Sequence, residues 1–224
     1  MNNVKDFQII PKPDWLKWSE ICNFLHRAHL SNQQYGFVMK TAFVDEKTVQ
    51  KKLYKGKCFV ALDDGKLIAT ASLAIDTGNH WYDKNKMVSF WVYDAVDPDY
   101  QGLGIIKMLN IERERYSKEM GAIIIRSGTS IANERQLSIF KKQGFKKVDY
   151  LTSKDSSYYS IIVAKWLGEC PFSNNCCTLR FLWAKFWTRL RFKPGKIERF
   201  KIIGFTSRVF NKLKSLTKKW GKQF

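Results

Sequence analysis

Cysteine is sparse: five stand in 224 residues, too few and too scattered for the disulfide lattice of a small secreted domain. Cys170, Cys176 and Cys177 cluster, but no second Cys/His pair sits at a zinc-ligand spacing, so these cysteines read as structural or incidental. A reducing cytoplasm fits that usage. No run of 18 apolar residues occurs, which argues against a helix that crosses a bilayer. The opening "MNNVKDFQIIPKPDW" lacks the apolar stretch of a secretory leader. Acidic residues are also short, 20 against 39 Lys/Arg, for a net charge of +19. The shortage is concentrated: residues 168–224 hold 14 Lys/Arg against only Glu169 and Glu198, while residues 1–167 hold 25 basic and 18 acidic residues. The chain therefore divides electrostatically near Gly168. What is present is an apolar share of 45%, enough for one sizeable core with an appendage.

The patterning alternates strands and helices. "KDFQIIP" (5–11) reads as a short strand. Residues 14–30 place Leu16, Ile21, Phe24, Leu25 and Ala28 on one helical face, with Asp14 as the expected N-cap. A second short helix is expected over 44–54. Residues 57–76 hold two apolar runs around Asp64-Gly65, a hairpin signal. A strand over 86–98, a helix over 104–119, a buried strand over 122–129 and a helix over 133–143 follow, and two strands close the domain, the last over 157–167. The order β-α-α-β-β-β-α-β-α-β-β implies an α/β (α+β) domain with a mixed sheet, without the regular alternation of a doubly wound fold.

Within that order, "VDPDYQGLGIIKML" (96–109) joins a strand end, two glycines and a helix start. Gly102 and Gly104 bare the backbone where a ligand must approach closely. The amides at the following helix N-terminus favour an anion with several negative oxygens. No Gly-Lys-Ser/Thr follows, so this is not a P-loop. Lys107 stands where a dinucleotide fingerprint needs its third glycine. Alone, the glycine pair is also compatible with an unliganded tight turn.

The stretch resembles the acetyl-coenzyme A motif of the GNAT superfamily of N-acyltransferases, Gln/Arg-x-x-Gly-x-Gly/Ala. Downstream, "IIIRSGTSIANERQLSIFKKQGF" (123–145) is similar to that family's strand, Asn, helix and aromatic-Lys-x-Gly-Phe ending, here Asn133, Phe140, Lys142, Gly144 and Phe145. The resemblance covers residues 5–167 and implies a single domain over 1–167 with a mixed, mostly antiparallel sheet flanked by helices. It implies acetyl-coenzyme A as co-substrate, no metal, and direct attack of an amine on the thioester. Main-chain groups of Ala95 and Val96 are then expected to pair with the pantetheine arm. The amides of Gln101, Gly102, Leu103, Gly104, Ile105 and Ile106 are expected to hold the pyrophosphate. Asn133 is expected on the pantetheine or adenine side, with Phe140 near the thioester sulfur.

Two positions depart from the family pattern. Ile106 replaces the last small residue of the loop motif, so its side chain must turn away from the phosphates. Phe140 stands where many members carry a tyrosine that protonates the departing thiolate, and it has no proton to give. A non-catalytic acyl-coenzyme A-binding module is therefore the alternative to an enzyme. For the general base, Asp94 shares strand parity with Phe90, Val92 and Val96 and is expected to face the cofactor if pairing is regular. His80, in the loop "TGNHWYD", is the second candidate. A salt-bridged strand-end aspartate and an exposed loop histidine are the ordinary alternatives.

The segment 168–224 is read as a basic amphipathic helical extension. Leu179, Leu182, Trp183, Phe186 and Leu190 form one stripe, with Arg180, Lys185, Arg189 and Arg191 around it. After Pro194-Gly195 a second stripe runs through Ile202, Phe205, Val209, Leu213, Leu216 and Trp220. This pattern suits an anionic membrane surface contacted through 179–220. Docking on the domain or a partner subunit, including a homodimer, stays open. Nucleic acid fits less well, because the basic and apolar groups are segregated into faces. The reading is a cytoplasmic N-acetyltransferase at the inner face of the cell membrane, acting on a small-molecule or glycan amine such as an amino sugar. A protein acetyltransferase with a nucleic-acid-binding tail is a weaker option.

Overall fold

The structure, a computed structural model, describes residues 7–30, 39–152 and 158–191. Seven strands form one sheet in the order β1-β2-β3-β4-β5-β7-β6. They are β1 (Gln8–Pro11), β2 (Gly56–Asp63), β3 (Lys66–Thr77), β4 (Met87–Val96), β5 (Ile124–Ser130), β6 (Lys146–Leu151) and β7 (Ser160–Trp166). All neighbours pair antiparallel except β4 and β5. The hairpin falls where Asp64-Gly65 calls for it. Asp64 and Gly65 take φ of 47° and 76°, the left-handed pair that suits the twist of a two-residue turn.

Helices α1 (Trp18–Leu30) and α2 (Glu46–Lys52) cover one face. There Ile21, Phe24 and Leu25 pack with Val49 and with Val60 and Leu62 of β2. Asp14 lies in the turn before α1 and is not its cap; the amide of Lys17 meets Glu20 Oε1 at 3.1 Å instead. Asp45 caps α2 by accepting from the Thr48 amide at 2.8 Å. The loop 78–86 continues this face over β5, β7 and β6, with Tyr82 buried against Val88, Ile124 and Ala164.

The opposite face carries α3 (Ile105–Glu119), the buried Phe140 of α4 (Glu134–Lys142), and α5 (Asn174–Arg191). Ile105, Leu109, Phe140, Phe145 and Phe181 join Leu73, Trp91 and Ile125 in the largest core cluster. Burying those apolar faces against the sheet is the main force holding the layers together. The extension packs its first helix against the domain, one of the alternatives its sequence leaves open. Cys177 and Phe181 of α5 are buried, and the Thr188 hydroxyl donates to the Tyr150 carbonyl of β6 at 2.8 Å. The stripe read as membrane-seeking lies on the other side: Leu179, Leu182, Trp183 and Phe186 are exposed. The second stripe, over 202–220, lies outside the described residues. No helix among the described residues is long and apolar enough to cross a membrane.

Candidate active site

The sheet opens between its two parallel strands. β4 and β5 pair only through Val88 with Ile124, Ser89 with Ile125 and Phe90 with Arg126. Beyond that the strands diverge, leaving the β4 edge past Phe90 without a ladder partner among the described residues. The cause on β4 is a bulge. Thr70 pairs with Ala95 and Ser72 with Val92, so two steps on β3 span three on β4. Tyr93 absorbs the extra residue with φ of 58°. Past this point, Tyr93 and Ala95 face α1 and α2. Asp94 faces α3 instead, on the same side as Trp91 and Val96. Pairing is therefore irregular where the parity argument for Asp94 assumed regularity: it shares a face with Val96 but not with Val92.

The divergence forms a cleft of about 690 Å³, within the range of small-molecule sites. Asp94, Ala95, Val96, Gln101, Gly102, Gly104, Ile105, Ile106, Asn133 and Phe140 all line it. Leu103 is exposed at the loop tip and does not. Gly102 and Gly104 adopt φ of 90° and 79°, a backbone that side chains rarely take. Gly104 is the N-cap of α3 and offers no side chain to the first turn. The Gln101 amide donates to Pro98. The amides of Gly102, Leu103, Gly104, Ile105 and Ile106 meet no acceptor among the described residues. Five consecutive N–H groups at a helix N-terminus make an electropositive nest. Ile106 packs against the main core, so its side chain is accommodated away from the loop.

Across the cleft, Asn133 caps α4 by accepting from the Gln136 amide at 3.1 Å. Arg135, which the sequence reading passed over, donates to the Gln101 side chain and ties α4 to the loop. It adds a cation beside the nest. Phe140 is 2% exposed, with its ring 5.0 Å from that of Phe145. The Thr129 hydroxyl lines the cleft, is buried and meets no hydrogen-bond partner among the described residues.

The two candidate bases are not brought together. Asp94 accepts two hydrogen bonds from the guanidinium of Arg113, a fully buried residue of α3. Burial pushes its carboxyl up, and Arg113 opposes that shift. His80 is not among the cleft residues. It lies over β6, its Nδ1 3.6 Å from Asp149 Oδ2 and its ring stacked on Tyr82. The histidine that does line the cleft is His29 of α1. Burial pushes its imidazole down to about 4, while a hydrogen bond to the main chain of Asp94 opposes the shift. Its signal in the sequence was weak: it sits one turn after Leu25, on the apolar side of α1. Among the described residues no three of His, Cys, Asp and Glu come together as a metal set.

Residues 17–145 match the sequence pattern of the Acetyltransferase (GNAT) family. A search of curated proteins found none that matches the chain. Solved structures with a similar fold include an IAA acetyltransferase from Bacillus cereus, 18% identical with a TM-score of 0.51, over 72% of this chain and 100% of that one. A GNAT family acetyltransferase from Elizabethkingia anophelis, with acetyl-CoA bound, is 16% identical with a TM-score of 0.51, over 72% of this chain and 98% of that one. An acetyltransferase of the GNAT family from Staphylococcus aureus is 16% identical with a TM-score of 0.56, over 73% of this chain and 100% of that one. With a family match across both sides of the cleft and a sheet splayed at β4 and β5, the chain belongs to the GNAT family of acetyltransferases.

Proposed function

We propose that the protein is an N-acetyltransferase that moves the acetyl group of acetyl-coenzyme A onto a primary amine. The observation that carries this reading is the run of five amides from Gly102 to Ile106 that meet no acceptor among the described residues, beside the open edge of β4. A pyrophosphate supplies the anionic oxygens those amides lack. The β4 main chain at Ala95 and Val96 is offered to the pantetheine arm, and Thr129 has a hydroxyl to pair. Asn133 and Arg135 flank the nucleotide side. The acetyl-CoA held by the Elizabethkingia relative supports the same choice of ligand.

The chemistry asked of these residues is modest. The amine nitrogen bonds to the thioester carbonyl carbon, the carbon–sulfur bond breaks, and sulfur leaves as thiolate. A β4 amide stabilises the developing oxyanion. Nitrogen must lose a proton and sulfur must gain one. Asp94 and His29 both line the cleft. The Asp94 carboxylate is held by Arg113, so the neutral imidazole of His29 is the better-placed acceptor. His80 takes no part in this scheme. Proton return to sulfur falls to water or a neighbouring hydroxyl, because Phe140 has none.

The acceptor is an amine presented at a membrane surface, an amino sugar being one such amine, and the protein works at the cytoplasmic face. One observation favours a second reading: Phe140, packed against Phe145 where many members place a proton donor, fits an acyl-coenzyme A-binding module without turnover.

Mass spectrometry of the purified protein for co-purified coenzyme A, and calorimetric titration with acetyl-coenzyme A, test the binding step. Thiol release in the presence of an amine panel tests turnover. Binding with amine-dependent release is expected. Binding without release from any amine favours the module, and no binding at millimolar ligand overturns both.

A further inference from the structure

The geometry points to the outward face of α5 as a seat for an anionic lipid bilayer. Its docked face is accounted for by Cys177, Phe181, Ala184 and Thr188, which fall one helical turn apart against β6 and the core. The opposite side presents Leu179, Leu182, Trp183 and Phe186, each 50–66% exposed. Sequence periodicity alone could not say whether this stripe or another docks on the domain. The structure separates the two: the helix is fixed by one stripe and displays the other.

The exposed stripe is aromatic at its centre. The rings of Trp183 and Trp187 lie 5.5 Å apart, and those of Phe186 and Trp187 lie 5.7 Å apart. Indole and phenyl rings at the edge of an apolar stripe suit the boundary between headgroups and acyl chains. Basic groups border the stripe. The Arg180 guanidinium lies 4.5 Å over Trp81, and Arg189 lies 5.9 Å over Tyr150, so both charges are held beside the stripe by the domain itself. α5 contains no acidic residue, and residues 192–224 add ten Lys/Arg against Glu198 alone.

This charge selects the occupant. A second copy would set cationic flanks against cationic flanks. Nucleic acid would engage the basic residues and leave four large apolar side chains in water. An anionic leaflet satisfies both features at once. The helix would lie in the plane of the surface, because it is amphipathic rather than apolar all round.

This inference deepens the membrane placement proposed above, and its test does not depend on catalysis. The full-length chain is floated with vesicles of phosphatidylglycerol and, separately, of phosphatidylcholine. It is compared with the variant Leu182→Ser/Phe186→Ser, which changes no charge. The wild-type chain is expected to float with phosphatidylglycerol only, and less at high salt. The double variant should lose about tenfold in bound fraction. Its melting temperature and its coenzyme A titration should stay unchanged, since both side chains are exposed. Equal flotation of the variant, no flotation of the wild type, dimerisation through this face by light scattering, or release from vesicles by an oligonucleotide would each overturn the proposal. Lost flotation with intact coenzyme A binding leaves the acetyltransferase reading untouched, and the reverse result does the opposite.

Discussion

Arg113 and Asp94 form a bidentate ion pair between α3 and the bulge of β4. The same guanidinium donates to the Ser72 carbonyl at 3.1 Å, on the β3 side of the bulge, and lies 4.1 Å over the Trp91 ring. It also donates to Asn110, whose side chain reaches Gln143 at the end of α4. One buried cation therefore links three elements that wall the cleft. It also occupies the carboxylate that the sequence offers as a base.

Arg113→Met should leave Asp94 partly buried without its partner. A loss of about 3–5 kcal/mol is expected, read as a lower urea midpoint at unchanged slope. Arg113→Met combined with Asp94→Asn should regain part of that stability. Acetyl-coenzyme A affinity should remain reduced in the double variant, because the bulge has lost its brace. Wild-type affinity in a stable double variant would show that the pair does not position the cleft.

His29 gives stability a pH dependence of definite sign. Its imidazole is lowered from 6.5 to about 4 in the folded chain, so the unfolded chain binds the proton more readily. Above pH 6.5 both states are neutral and the group contributes no slope. As pH falls from about 6.5 to about 4, stability should drop by an amount on the order of 3 kcal/mol. His29→Gln should flatten the urea midpoint over that window, and an unchanged slope would remove His29 as the source.

Gly104→Ala should weaken acetyl-coenzyme A binding by about tenfold, since the left-handed backbone costs an L side chain roughly 1–2 kcal/mol. Among the described residues beyond its chain neighbours, no heavy atom lies within 4 Å of the added Cβ, so the effect is conformational rather than a clash. Arg135→Glu should also weaken binding, with a salt dependence that Gly104→Ala lacks. Calorimetry at two ionic strengths separates the two causes.

Phe140→Tyr should return a proton donor to the cleft. If departure of the thiolate limits turnover, amine-dependent thiol release should rise about tenfold or more at nearly constant acetyl-coenzyme A affinity. A rate unchanged from wild type, with the variant folded, would show that sulfur is protonated by another route.

Much of this was legible in the residues. Asp64-Gly65 marked its hairpin, because few backbones other than a left-handed pair close a two-residue turn. Gly102 and Gly104, followed by helical spacing, marked the nest. Periodicity marked two amphipathic stripes in the extension. The bulge at Tyr93 left no trace in the alternation, so the side of β4 that receives Asp94 was not readable. Nothing in the local pattern around Arg113 or His29 set either residue apart from its helix neighbours.

The difference has one physical origin. Turn chemistry, amide nests and amphipathic periodicity are local, decided within a few residues by steric and hydrogen-bonding preferences. The family pattern, the order of elements and the basic extension all follow from such local terms. Which strand bulges, which carboxylate is neutralised, which histidine reaches the cleft and which face of α5 stays in solvent depend on groups from 19 to 65 residues apart. Only their meeting in a desolvated core, where a buried charge must find a partner and an apolar stripe must find a surface, decided those points.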